Sequence, residues 1–236
     1  MKLVAGCGPK PVPEGWVGID IEPEYVKRAR ECSPNATVML GDILALPMED
    51  NTVDEVVCWE VFEHIEQQDG VIDELARVCK PGATLLLSTP LMHVEKFLSA
   101  ISRNYRESVL IPHHQNCLHP RETLRKVRRK FDVVKVWYAP EAFAFCFTAA
   151  LVMDRQGVTF NGAGEFVGAN AEKVHQLAER MTARTTWFWK GVNTLIPYWA
   201  TKSICISARC RKESPSAGNG AIPAPHSRSR NQARIS

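Results

Sequence analysis

The residues of this sequence best suited to chemistry come early and stand at regular intervals. Val4-Ala5-Gly6-Cys7-Gly8-Pro9 is an apolar run that breaks into a small-residue turn. Gly15-Trp16-Val17-Gly18-Ile19-Asp20-Ile21 is a second apolar run, and it ends in an acid. Glycines let a backbone approach a ligand where a Cβ would clash. A carboxylate at the end of the next parallel strand can accept hydrogen bonds from both hydroxyls of a ribose. Three more apolar runs stop at Gly41-Asp42-Ile43, Trp59-Glu60 and Ser88-Thr89-Pro90. Acids at Asp20, Asp42 and Glu60 suit a ligand rich in hydroxyl and amino donors better than one dominated by phosphates. A phosphate site would want a basic residue beside the turn or the full G-x-G-x-x-G spacing. After Gly8 the chain reads Pro9-Lys10-Pro11-Val12, so the third glycine is missing and Lys10 alone keeps a phosphate reading open.

The elements that must position these residues follow from periodicity. The opening pattern predicts a strand–loop–helix–strand unit. From Pro23, residues Tyr25, Val26, Ala29 and Cys32 share a helical face, which Ser33-Pro34 ends. Strands are expected over 36–40, 53–59 and 83–88. Ile72, Leu75, Ala76 and Cys79 fall at helical spacing, with Lys80-Pro81-Gly82 as the stop. Strands alternating with helices at this pace make βαβ units and a mostly parallel sheet. Beyond Pro90 a helix is expected near 94–102 and a polar loop over 111–119. A basic helix should begin at Pro120, a position that needs no N–H donor. Strands are expected at 131–138 and 201–208. Between them Val174, Leu177, Ala178 and Met181 give a further helix one apolar face. From Glu213 onward large apolar residues are nearly absent, which predicts a disordered tail over 213–236.

Composition narrows the class. With 236 residues, 45% of them hydrophobic, the chain can hold one α/β domain with an insertion. A net charge of +3 is too small to imply nucleic-acid binding. The eight cysteines form no C-x-x-C pair and no zinc spacing, so no metal is expected and a reduced, cytoplasmic protein is. No apolar run reaches the roughly 18 residues of a membrane span, and the N-terminus lacks the apolar stretch of a signal peptide.

Taken in order, these motifs resemble the class I S-adenosylmethionine-dependent methyltransferases, in their small-molecule branch. Val4-Ala5-Gly6-Cys7-Gly8-Pro9 is similar to the glycine motif that packs on the methionine part of that cofactor. Gly18-Ile19-Asp20-Ile21 is similar to its ribose-binding strand end. Gly41-Asp42-Ile43, with Leu46-Pro47, resembles the segment that contacts adenine through an Asp side chain and a backbone amide. Trp59 and Glu60 stand where the family places the methyl-donor end. Glu63-His64-Ile65, the run from Glu74 to Gly82 and Leu85 to Pro90 continue the likeness, which covers roughly residues 1 to 138 and a last strand near 201–208. The resemblance implies a Rossmann-like sheet of seven strands in the order 3-2-1-4-5-7-6, the last strand antiparallel, with a helical insertion before it. Two departures stand out. Relatives carry a covering helix before the first strand, whereas here the strand begins at Met1, as in a compact member or one whose start lies upstream. Pro9 also replaces the usual small residue.

The expected chemistry is methyl transfer to a small or lipid-like acceptor, oxygen before nitrogen or carbon. His64, His113 and His114 are the candidate catalytic residues, because an imidazole near neutrality suits removal of a hydroxyl proton. His119 belongs to the same histidine-rich loop. Nucleic acid is not expected as the acceptor, since strand four ends in Cys58-Trp59-Glu60-Val61 and not in an Asn/Asp-Pro-Pro-aromatic signature, and no Pro-Cys nucleophile is present. The rivals are a nicotinamide-dependent oxidoreductase, disfavoured by the missing glycine, and a non-catalytic binding module on the same fold. The insertion at 140–200, with Phe143, Phe145, Phe147, Trp187, Phe188, Trp189, Tyr198 and Trp199, reads as a lid over the site or a membrane-contact element. The basic helix 120–130 could add attraction to an anionic surface.

Overall fold

In the computed structural model, which describes residues 1–161, 165–192 and 201–211, the chain is built on one seven-stranded sheet. Its strands are β1 (Lys2–Ala5), β2 (Val17–Asp20), β3 (Thr37–Leu40), β4 (Val53–Trp59), β5 (Cys79–Pro90), β6 (Phe131–Tyr138) and, after a short hairpin β7 (Thr159–Phe160) and β8 (Phe166–Val167), β9 (Ser203–Cys210). The order is β3-β2-β1-β4-β5-β9-β6, which is the expected 3-2-1-4-5-7-6 when only strands of the large sheet are counted. Strands β3 to β5 pair parallel, while β9 pairs antiparallel with both β5 and β6. One face of β4 and β5, carrying Val56, Cys58, Leu85 and Leu87, is fully buried, as expected of a parallel sheet covered by helices.

Helix α1 (Pro23–Cys32) turns Val26 and Ala29 inward, and α2 (Gln68–Val78) buries Val71, Ile72, Leu75 and Ala76. Helix α3 (Met92–Ile101) follows β5. A single turn, α4 (Arg103–Tyr105), then widens into a π-helical stretch over Arg106–Leu110. Helix α5 (Pro120–Val127) precedes β6. The insertion consists of α6 (Pro140–Gln156), the β7–β8 hairpin and α7 (Ala171–Val192).

Three local expectations need correction. No helix lies between β1 and β2. Pro9, Pro11 and Pro13 remove amide donors and bias their predecessors to extended backbone, so the crossover is a loop. Its Val12 packs where a helix would: a Cβ on Gly18 would meet Val12 Cγ2 at 2.6 Å, and Val12 joins Cys7, Val26, Ala29 and Val38 in a small separate core. Lys80-Pro81-Gly82 is not a turn outside the sheet but the early part of β5, with Gly82 at φ +76° and a register shift between Val53 and Glu55 opposite it. On α7, Val174 and Ala178 are buried, but Leu177 and Met181 are exposed.

The insertion is anchored to the body. The Asp154 carboxylate accepts from Ser102 Oγ and from the amides of Arg103 and Asn104 at 2.7–2.8 Å, which caps α4. All eight cysteines are free thiols. Among the described residues, no helix is long and apolar enough to cross a membrane. Tyr198, Trp199 and the tail 213–236 lie outside the described residues, as do the side chains of Trp187, Phe188 and Trp189.

Candidate active site

The carboxyl ends of β1, β2, β3 and β4 form the donor half of a cleft. Gly6 and Gly8 take φ of +74° and +58°, and the amides of Gly6 and Cys7 both donate to the Ile19 carbonyl, at 2.8 and 3.0 Å. A Cβ on Gly6 would meet Val61 Cγ2 at 2.4 Å, whereas one on Gly8 would meet nothing within 4 Å. The turn is therefore wedged against Val61, just past β4, on one side and open on the other. Asp20 ties it to β2: its Oδ2 accepts from the Gly8 amide at 2.8 Å and its Oδ1 from the Glu22 amide at 3.0 Å. Each carboxylate oxygen has further lone-pair capacity for a ligand hydroxyl. Ile21 and Leu40, large apolar residues at the ends of β2 and β3, stand exposed at this edge, as a surface that takes a flat heterocycle would.

Cys7 and Ile43 turn their side chains away from the open face. The Cys7 thiol is buried in the small core and raised to about 11 by burial and then by Asp20, so it supports the turn from below. The Ile43 side chain is likewise buried, which leaves only its backbone to a ligand. Gly41 donates to the Asp20 carbonyl at 2.9 Å, and Asp42 Oδ1 accepts from the Leu44 amide at 2.9 Å. The rest of this loop hangs on Arg77. Its guanidinium donates to the Leu46 and Met48 carbonyls, to Asp50 and to both oxygens of Glu74, all at 2.7–3.0 Å. Glu74 in turn accepts from the Leu46 amide at 2.7 Å. Hydrogen bonding to Arg77 draws the Glu74 carboxyl below its ordinary range.

At the end of β4, Trp59 is exposed and Glu60 adopts φ +55°, a conformation unusual for a side-chain-bearing residue. Neighbours hold it there. Ser88 accepts the Glu60 amide through both its carbonyl and its Oγ at 3.2 Å. The Oγ atoms of Ser88 and Ser203 then donate to the Glu60 carboxylate at 2.7 and 3.3 Å. Strain fixed in this way marks functional sites more often than ordinary turns.

A second group of ionisable residues, on the side expected to take the acceptor, lies beyond β4 and β5. Glu63, in a 3₁₀ turn over Phe62–His64, is fully buried, and its Oε2 accepts from Thr89 Oγ1 at 3.3 Å. Burial, then Glu60, pushes its carboxyl well above the usual range. Burial, followed by His114 and His113, lowers His64 to about 4; burial also lowers His113. The three histidines do converge: the His64 ring lies 5.9 Å from that of His113 and 5.3 Å from that of His114. They meet because Asn116 donates its amide to the Glu63 carbonyl, while Gln68 Nε2 bridges the carbonyls of Phe62 and Asn116. His119 is elsewhere, accepting the Arg121 amide as the cap of α5.

Beneath them sits a charged cluster that sequence reasoning missed. Glu95 and Lys202 are both buried and pair at 3.1 Å. Glu95 also accepts from Tyr105 Oη at 3.1–3.2 Å and engages His114 Nδ1 at 2.9 Å. Burial alone would raise Glu95, but Lys202 and His114 outweigh it and bring the carboxyl to about 2. Register creates the pair: Pro90 faces Ser203, and Leu91 donates to the Lys202 carbonyl at 2.8 Å. The start of α3 is thereby set beside the start of β9. One signal was available, since Glu95 shares the buried face of α3 with Val94, Leu98 and Ser99.

Residues 5–87 match the family model of a methyltransferase domain. The chain carries a class I S-adenosylmethionine-dependent methyltransferase domain. Over 100 residues it is 34% identical to a probable S-adenosylmethionine-dependent methyltransferase of Mycolicibacterium smegmatis, a match that covers 37% of each chain. It is 30% identical over 129 residues to ajmaline N-methyltransferase of Rauvolfia serpentina, covering 52% of this chain and 38% of that one. The matches thus span little more than a third of these relatives' lengths. The fold also resembles a solved geranyl diphosphate methyltransferase in complex with SAM, with TM-score 0.54, 13% identity, and 89% of this chain and 77% of that one covered. The methyltransferase domain's donor half fits that cofactor on its own geometry: a glycine turn open on one side, a ribose-type acid at β2, and an apolar edge at Ile21 and Leu40.

Proposed function

We propose that this chain transfers a methyl group from S-adenosylmethionine to an oxygen of a small or lipid-like acceptor. The observation that carries the reading is a cavity of about 330 Å³ reaching from the donor end at Trp59 and Glu60 to Lys202, with Phe145 and Cys146 of the insertion forming part of its wall. It is mostly apolar with a few polar groups, the usual make-up of a small-molecule site.

The sulfonium of the cofactor supplies an already activated methyl group, so alignment is the protein's main task. The Gly6–Gly8 turn and Trp59 hold the methionine part, Asp20 and Ile21 the ribose, and Gly41, Asp42 and Ile43 the adenine. The Glu60 carboxylate, fixed by Ser88 and Ser203, presents negative charge toward a cationic donor. We also place His64, His113 and His114 at the acceptor end; none of them lines this cavity, and His114 opens instead on another one, beside Glu95. A hydroxyl acceptor must shed a proton during transfer, and a cluster of imidazoles is the equipment for that. An amine acceptor, as in the Rauvolfia relative, is the competing reading, and it needs no such group when the amine is already neutral.

The insertion covers this cavity, since α6 lines it and the β7–β8 hairpin reaches α1 through Arg28 and Glu165. Membrane contact is proposed through the insertion and the basic helix. On that helix Lys126 and Arg129 pair with Asp69, and Arg129 and Lys130 with Asp73, so exposed Arg121 and Arg128 are the charges it would bring to an anionic surface. Flotation with anionic liposomes tests this, and an unbound protein would leave the lid role only.

Calorimetry with S-adenosylmethionine, S-adenosylhomocysteine and NAD tests the donor assignment. Binding of NAD without either sulfur nucleoside would refute it. A tritiated methyl donor incubated with small-molecule extracts then tests the acceptor class: a labelled ether or ester is expected, and a labelled amine would move the assignment to nitrogen.

A further inference from the structure

We propose that Glu63, His64 and His114 form a site for a divalent transition-metal ion at the acceptor end of the cleft. One ligand atom from each of the three lies within 4.8 Å of the others. Glu63 Oε1 is buried and has no hydrogen-bond partner, although a buried carboxylate oxygen left unpaired is costly and rare. It lies 3.8 Å from His64 Nε2. That is too far for a hydrogen bond and close to the spacing of two ligands on one ion with bonds of about 2.0–2.2 Å. The third ligand is preset, because Glu95 holds the His114 ring at 2.9 Å. Histidine ligands commonly have such an outer-shell carboxylate, which fixes ring orientation.

Two imidazoles and one carboxylate are the donor set of zinc sites that keep a position open for substrate. Magnesium and calcium prefer oxygen ligands throughout. Sequence spacing could not show the set, because His114 is brought to Glu63 only by the Asn116 and Gln68 contacts.

The site's role rests on the methyltransferase reading above. The open position would take the acceptor hydroxyl and ease loss of its proton to solvent water. The oxygen's electron pair then forms the new C–O bond as the C–S bond breaks toward sulfur.

The test uses the full chain, stripped with a chelator and titrated with Zn²⁺ by calorimetry and with Co²⁺ by visible absorption. One ion per chain is expected. Affinity should fall at least tenfold in Glu63→Gln and in His64→Ala, and should not change in His119→Ala at the exposed cap of α5. His64 is half exposed, so His64→Ala keeps the test sound should Glu63→Gln fail to fold. Absence of stoichiometric binding, or equal affinity in wild type and His64→Ala, overturns the site. Full methyl transfer by metal-free protein overturns its catalytic role while leaving the methyltransferase reading intact. Stoichiometric Zn²⁺ binding without methylation of any hydroxyl acceptor supports the site and counts against the oxygen reading instead.

Discussion

The two halves of the cleft are built in different ways. The donor half is made of backbone: a glycine turn, two strand ends and a loop, with side chains from Asp20, Asp42 and Arg77 that mainly hold main-chain atoms in place. The acceptor half is made of side chains from elements far apart in the chain, namely the turn at Glu63, helix α3, the loop at His114 and the start of β9. The donor ligand is the same for every acceptor, so a few local contacts can serve it. An acceptor pocket must be shaped for one molecule, and its charges are buried in mutual contact. Each half should consequently fail in its own way.

The largest effect is expected in the acceptor half. Glu95→Gln leaves the Lys202 ammonium buried without its counter-charge and should cost about 3–5 kcal/mol of stability, read as a lowered denaturation midpoint. Glu95→Leu combined with Lys202→Met should recover part of this, because replacing both charges removes the uncompensated one. If Glu95→Gln were as stable as wild type, the pair would not be the keystone the geometry makes it.

In the donor half the loss should appear as ligand affinity rather than unfolding. Asp20→Ala removes an acceptor from the Gly8 and Glu22 amides as well as from the ribose. Charge-assisted bonds contribute about 1.5–3 kcal/mol each, so calorimetry should show affinity for S-adenosylmethionine reduced by roughly 100-fold or more. An unchanged affinity would refute the ribose assignment.

The same contrast explains what could be read in the sequence. The geometry of the donor turn was legible because its motifs are local: Gly6 and Gly8 mark a positive-φ turn, and Asp20 closes the strand beside it; the strand order followed only from the resemblance that the motifs carry together. The missing β1–β2 helix was legible too, in Pro9, Pro11 and Pro13, but the glycine turn followed by an acid-ended strand suggested the usual strand–loop–helix–strand unit. Glu63 and Lys202 were opaque because single charges in apolar surroundings reveal no partner. Only the antiparallel register of β5 with β9 brings residues 95 and 202 together.

Arg77 sharpens the comparison from the donor side, since it is a charged side chain acting on backbone. Arg77→Ala frees the Leu46 and Met48 carbonyls and should cost about 2 kcal/mol, with weakened nucleoside binding because the Asp42 loop loosens. Its partner Glu74 has a lowered carboxyl pKa. The pair's contribution is therefore complete above the unfolded value near pH 4.5 and is lost as pH falls through the lower folded value. Arg77→Ala should remove that part of the acid sensitivity, as paired melting curves at neutral and acid pH would show.

The smallest effect is expected where the two halves are joined from above. Arg28 on α1 meets Glu165 at 2.7 Å, with both side chains exposed, and it is the described contact that links the β7–β8 hairpin to the donor side. An exposed pair of this kind is largely screened by solvent, so Arg28→Ala should scarcely move the melting temperature. If the insertion covers the bound nucleoside, however, losing the clasp should speed nucleoside release by a few fold while leaving association nearly unchanged. Stopped-flow displacement measures both rates, and raised salt should mimic the substitution because it screens the same pair. Identical release rates in Arg28→Ala and wild type would mean that the hairpin rests on α1 without controlling access, which would leave the coupling of the two halves to contacts such as Glu60 with its serines and Val61 with Gly6.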